Sequence, residues 1–97
     1  MPAPESLPIP EVLAKAAAIL RDEGATEVYV FGSFARGDVR PDSDLDLAVA
    51  GLASARIIPA MGRLWDACGR MTDIIQIERE PVFVRYLRST GEWRRVA

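Results

Sequence analysis

The chain contains no histidine, and Cys68 is its single cysteine. The first absence excludes a Ser-His-Asp or Cys-His mechanism, a histidine general base and any zinc site with an imidazole ligand. The second excludes an internal disulfide. No apolar run approaches the roughly 20 residues that span a bilayer, so no membrane contact is expected. The segment from Met1 to Pro10 has four prolines and no basic residue, unlike a secretory leader. A cytoplasmic protein in a reducing compartment is expected. Lysine is nearly missing as well: Lys15 is the only one among twelve basic residues, the rest being arginine. With histidine gone, carboxylates must carry any catalysis.

What is present is a chain of 97 residues with fourteen acids and a net charge of −2. A mildly acidic protein is a poor nonspecific ligand for nucleic acid, and no direct nucleic-acid binding is expected. Arginine still favours fixed-geometry contacts with phosphate or carboxylate, which leaves room for a local basic patch. A domain of this size buries only about 60–65% of the surface its unfolded chain exposes, leaving little material for a separate lobe that holds an acceptor. The expected organisation is a flexible N-terminal arm over 1–10 and a single domain over 11–97.

Hydrophobic spacing predicts the elements. A helix starts near Pro10 or Glu11, with Val12, Leu13, Ala16, Ala17, Ile19 and Leu20 on one stripe and Gly24 as its stop. Glu27 to Phe31 reads as a strand, ended by Gly32. Asp44 to Ala50 alternates strictly, placing Leu45, Leu47 and Val49 on one face and Asp44, Asp46 and Ala48 on the other. Ile57, Ile58, Met61, Leu64, Trp65 and Cys68 form a helical stripe ending near Gly69, with Met61, Trp65 and Cys68 expected in the core. Thr72 to Glu78 is a third strand with Asp73, Ile75 and Ile77 on one side. Pro81 opens a last helix on which Val82, Phe83, Tyr86 and Leu87 pack; Tyr29 is also assigned to packing. The order predicts a small α/β domain.

The stretch from Gly32 to Leu47, GSFARGDVRPDSDLDL, carries the chemistry. A strand that stops at Gly32-Ser33 offers backbone amides and a hydroxyl, with no Cβ at the first position to keep a phosphate away. Asp44 and Asp46, at i and i+2 on a strand, stand roughly 7 Å apart on one face, where their repulsion at an effective dielectric near 20 is about 2.4 kcal/mol. An exposed turn would screen that cost in water and salt. A divalent cation would instead convert it into oxygen ligation of the kind Mg²⁺ favours. Asp73, at the start of another apolar strand, is the natural third acid. Arg36 and Arg40 lie in the intervening loop and are candidate phosphate contacts; Asp38 reads as a turn or cap residue. Arg85, Arg88, Arg94 and Arg95 gather near the C-terminus, as a partner- or phosphate-facing patch or as a solvated face.

Gly32-Ser33, ten residues, then Asp44-x-Asp46 resembles the G-S-x10-D-x-D signature of the polymerase beta-like nucleotidyltransferase superfamily. Within it the chain looks like the minimal nucleotidyltransferase group, the antitoxin half of pairs whose toxin is a HEPN-domain ribonuclease. The resemblance runs from about Val12 to Tyr86 and implies a small mixed β-sheet packed with helices. It further implies that Asp44, Asp46 and Asp73 bind two Mg²⁺ ions and are catalytic, with Asp73 helping to deprotonate the attacking hydroxyl. Gly32 and Ser33 would hold the triphosphate of ATP, and Arg36 is assigned to the same group. The implied reaction is transfer of AMP to a hydroxyl, expected to be a tyrosine, of the HEPN toxin. Two other readings remain open: a small-molecule nucleotidyltransferase of the antibiotic-modifying type, and a non-catalytic antitoxin that acts by binding.

Overall fold

A computed structural model of the protein describes residues 8–97. The first seven residues of the expected arm lie outside the described residues. The elements are α1 (Ile9–Asp22), β1 (Glu27–Phe31), α2 (Ser33–Arg36), β2 (Leu45–Ala50), α3 (Ile57–Cys68), β3 (Thr72–Gln76), α4 (Pro81–Thr90) and β4 (Trp93–Arg95). The strands form one mixed sheet in the order β3-β2-β1-β4, with β1 antiparallel to both β2 and β4 and β2 parallel to β3. A parallel neighbour needs a crossover, and α3 supplies it.

The alternation in β2 sorts the two faces. Leu45, Leu47 and Val49 point into the main core with Val28 and Val30 of β1, and α1 and α3 cover that face through Val12, Leu13, Ala16 and Leu20 and through Ala60, Leu64 and Cys68. On the opposite face Tyr29, Phe31 and Ala48 are buried under Leu87 of α4, with Ile75, Ile77 and Trp93 at the margin. The second face is therefore covered only in part. Asp46 emerges from it just beyond the covered patch, as the alternation requires.

Three sequence expectations need correction. In α3 the buried side is Ala60, Leu64 and Cys68, while Ile58 is 74% and Trp65 53% exposed and Met61 is only half-buried. Small residues at both ends of this i, i+4, i+8 row, Ala60 and Cys68, let α3 approach α1 closely, with Cys68 Sγ 3.9 Å from the carbonyl oxygen of Val12. That turns the bulky half of the stripe outward. In α4, Val84 and Leu87 are buried, whereas Val82 (75%) and Tyr86 (61%) are exposed; Phe83 reaches only the edge of Phe31, with ring centroids 5.9 Å apart. A helix lying on one face of a thin sheet has a single neighbour to pack against.

The third correction is that β3 ends at Gln76, not Glu78, and passes into a 3₁₀ turn over Ile77–Arg79. Its ladder with β2 runs out at the Val49–Gln76 pair. Past that point the Gly51 N–H donates to the Glu78 carboxylate at 2.6 Å, and Gln76 Nε2 donates to the Leu52 carbonyl at 3.1 Å. At the other end of the chain, β4 had no sequence signal: three residues, two of them arginine, show no alternation. Among the described residues no helix is long and apolar enough to cross a membrane.

Candidate active site

The site is built where β1 ends. After Phe31 the chain turns at Gly32, whose φ of 69° and ψ of −143° suit glycine alone. A Cβ at this position would also run into the carboxylate of Asp46. One turn of helix, Ser33–Arg36, follows and is closed by Gly37 in the left-handed region, with the Asp38 N–H donating to the Ser33 carbonyl at 3.0 Å. The turn role expected for Asp38 is thus a main-chain one. Phe34 anchors the turn in the core.

Across the antiparallel pairing Phe31 sits opposite Asp46, and across the parallel pairing Asp46 sits opposite Asp73. Asp44 precedes β2 by one residue and is exposed, Asp46 is half-buried, and Asp73 is exposed near the start of β3. Burial raises the Asp46 carboxyl above its ordinary value, and the negative charges of Asp73 and Asp44 raise it further; the Arg36 guanidinium opposes them. Asp44, Asp73 and Arg36 thus each act electrostatically on Asp46. The structure gathers Gly32, Arg36, Asp44 and Asp73 about Asp46, with Ser33 next to Gly32 at the start of the helical turn.

The donor set fits a hard divalent cation. It consists of carboxylate oxygens alone, with mutual repulsion that a cation would relieve and a glycine where a side chain would block the approach. Among the described residues no three acids are already closed into a ligand cluster. The sheet gives Asp46 and Asp73 a shared position on one face.

Arg36 donates from Nη1 to the Glu92 carboxylate in the turn between α4 and β4, an ion pair joining parts of the chain far apart in sequence. The side chain of Arg40 is exposed, but its main chain is committed: its N–H donates to Ser43 Oγ at 2.8 Å, and its carbonyl accepts from the Ser43 N–H at 3.0 Å and from Arg70 at 3.0 Å. Of the C-terminal arginines, Arg88 lies over Trp93 and Arg95 over Tyr29, and these two rings stack with centroids 4.6 Å apart. Tyr29 is thus a packing residue, whereas Tyr86 is not. Sequence reasoning missed Glu92 and Arg70, since neither lies in a periodic or motif-bearing segment.

No aspartate of the site lines either of two apolar concavities. One, of about 330 Å³, is bordered by Ile58, Met61, Trp65 and Met71; the other, of about 610 Å³, by Val82, Phe83 and Tyr86. The acids stand on an open face.

A glycine turn facing paired strand carboxylates, on a four-stranded mixed sheet backed by helices, defines a minimal nucleotidyltransferase fold. Residues 14–92 match the Polymerase beta, Nucleotidyltransferase family, and the chain belongs to it. No curated protein matches the chain. Among solved structures, one described as a candidate minimal nucleotidyltransferase is 28% identical with a TM-score of 0.72, the alignment covering 95% of this chain and 97% of that one. A toxin-antitoxin structure with AMP-PNP is 22% identical over 88% of this chain and 72% of its own, with a TM-score of 0.71. A tri-AMPylated Shewanella oneidensis HEPN toxin in complex with an MNT antitoxin gives 19% identity over 93% and 72%, with a TM-score of 0.67. The last two establish likeness of fold.

Proposed function

We propose that the protein is a Mg²⁺-dependent nucleotidyltransferase that moves AMP from ATP to a hydroxyl, that of a tyrosine, on a partner HEPN ribonuclease toxin, and so serves as its antitoxin. The observation that carries the reading is the pairing of Asp46 with Asp73 on an open sheet face, with Asp44 and Gly32 beside them. In the reaction the acceptor oxygen bonds to the α-phosphorus of ATP and the bond from that phosphorus to the bridging oxygen breaks. Pyrophosphate leaves with that bridging oxygen, and the hydroxyl proton is taken up by a base, a role we assign to Asp73. Asp44, Asp46 and Asp73 are the residues to hold two Mg²⁺ ions, which when bound supply neutralisation of phosphate charge and a lowered pKa for the attacking hydroxyl. Gly32 and Ser33 admit the triphosphate at the turn, and Arg36 can exchange Glu92 for a phosphate oxygen.

Two further considerations support a protein acceptor. Asp44 and Asp73 are exposed, and neither of the two apolar concavities described above is lined by an acid of the site. Structures of similar fold carry descriptions of a toxin-antitoxin with AMP-PNP and of an AMPylated HEPN toxin with its antitoxin. The test is incubation of the purified protein with Mg²⁺, each α-labelled nucleoside triphosphate and the product of the neighbouring gene, with Asp44→Ala as control. A labelled partner band with ATP alone, absent in the control, is expected. Toxin neutralisation by Asp44→Ala without any label would replace the proposal with inhibition by binding.

A further inference from the structure

Arg70 is a buried arginine, 6% exposed, in the turn between α3 and β3. Among the described residues it forms no ion pair with a carboxylate, and its Nε is buried without a hydrogen-bond partner. A guanidinium placed this way costs stability. Its contacts explain where it is used. Nη1 donates to the carbonyl of Arg40 at 3.0 Å and to that of Ser43 at 2.8 Å, gripping both ends of a turn that the Ser43 N–H and the Arg40 carbonyl close on their own. Ser43 is the residue before Asp44. Its Cζ also lies 5.1 Å from the centre of the Phe34 ring, in the helical turn that follows Gly32 and Ser33. Along the chain, Arg70 is three residues ahead of Asp73, and the carbonyl of the adjacent Met71 accepts from the Leu45 N–H at 2.9 Å.

One side chain thus joins Phe34, in the helical turn after Gly32 and Ser33, to the Arg40–Ser43 turn that leads into Asp44, from a position three residues before Asp73. We infer that Arg70 is a positioning residue for the acid site: it fixes the Arg40–Ser43 turn, and with it Asp44, against the strand that carries Asp73. The inference rests on the reading of these acids as metal ligands. Its chemistry is a pair of charge-assisted bonds to two carbonyls, with a cation–π contact to the Phe34 ring beside them. Nothing in it requires Arg70 to touch nucleotide or metal.

The experiment uses the whole chain and Mn²⁺ as probe, with binding followed by the paramagnetic signal of the free ion. Arg70→Met keeps the apolar stem and removes the donors, and is expected to weaken Mn²⁺ binding about tenfold or more. Because the effect runs through Asp44, the double variant with Asp44→Asn is expected to bind no more weakly than Asp44→Asn alone. In the metal-free chain Arg70→Met is also expected to speed hydrogen exchange at the Ser43 and Leu45 amides. Additive weakening, or wild-type affinity in folded Arg70→Met while Asp44→Asn has lost it, overturns the inference alone. Should Arg70→Met fail to fold, Arg70→Lys carries the test: affinity between those of wild type and Asp44→Asn is expected, and wild-type affinity overturns it. Absence of Mn²⁺ binding by the wild-type chain overturns both this inference and the reading beneath it.

Discussion

Asp46 and Asp73 are register partners across the parallel β2–β3 pairing, so two carboxylates from different strands stand side by side on the same face of the sheet. Neighbouring strands lie about 4.8 Å apart, too close for two ionised carboxylates without a penalty unless a cation intervenes. The carboxyl of Asp46 is raised first by burial and next by the charge of Asp73, the electrostatic trace of that arrangement.

A pH-dependent stability follows. Because the folded-state carboxyl of Asp46 is raised, first by burial and then by Asp73 and Asp44, its contribution to stability is fully present below the ordinary carboxylate range. It is lost as pH rises through the raised value. Asp46→Asn cannot ionise. In metal-free protein its Tm should therefore match wild type near pH 3 and exceed it near pH 7, about one side and the other of the carboxylate range. Scanning calorimetry across that interval checks this; a Tm deficit at neutral pH would contradict it. The same variant should lose transfer activity.

Gly32→Ala should be damaging twice over. The Gly32 backbone, at a φ and ψ open to glycine alone, disfavours any L side chain by about 1–3 kcal/mol, and the new methyl would displace the Asp46 carboxylate. We expect a modestly lowered Tm together with a loss of transfer far larger than the stability change accounts for. Gly37→Ala carries the left-handed backbone cost of about 1–2 kcal/mol but has open space around it, so it should lower Tm and spare activity. Thermal melts and the labelled-nucleotide assay on both variants separate strain from site blockage.

The outward rotation of α3 makes a contrast between adjacent residues. Leu64 is fully buried and Trp65 is 53% exposed. Leu64→Ala should cost about 2–5 kcal/mol as a core truncation, whereas Trp65→Ala should cost under about 1 kcal/mol. Urea denaturation of the two variants decides it; the reverse order would restore the stripe expected from sequence.

Glu92 faces Arg36 from the α4–β4 turn. An exposed ion pair of this kind contributes about 0–1 kcal/mol, so Glu92→Gln should leave Tm nearly unchanged. If Arg36 serves a phosphate, releasing it and removing a negative charge should tighten nucleotide binding by about two- to fivefold. A KM for ATP that is unchanged or raised in Glu92→Gln would remove Arg36 from the phosphate site.

Local chemistry made much of the protein legible from its sequence. Strict alternation in β2 assigned Leu45, Leu47 and Val49 to the core and Asp46 to the opposite face, because a strand has only two sides. The limits of β1 and α3 followed from Gly32 and Gly69, and the acids with Gly32 and Ser33 stood out because such repulsion and such a glycine have few structural uses. Which half of the α3 stripe is buried could not be read that way: it depends on how near α1 can come, and small Ala60 and Cys68 settle it. The short β4 exists only because β1 offers a free edge to residues without strand character of their own. Arg70 is the clearest case. Nothing around it in the sequence marks it, and its role arises from the close approach of the Arg40–Ser43 turn, Phe34 and the start of β3, segments that only the folded chain brings to within reach of a single guanidinium.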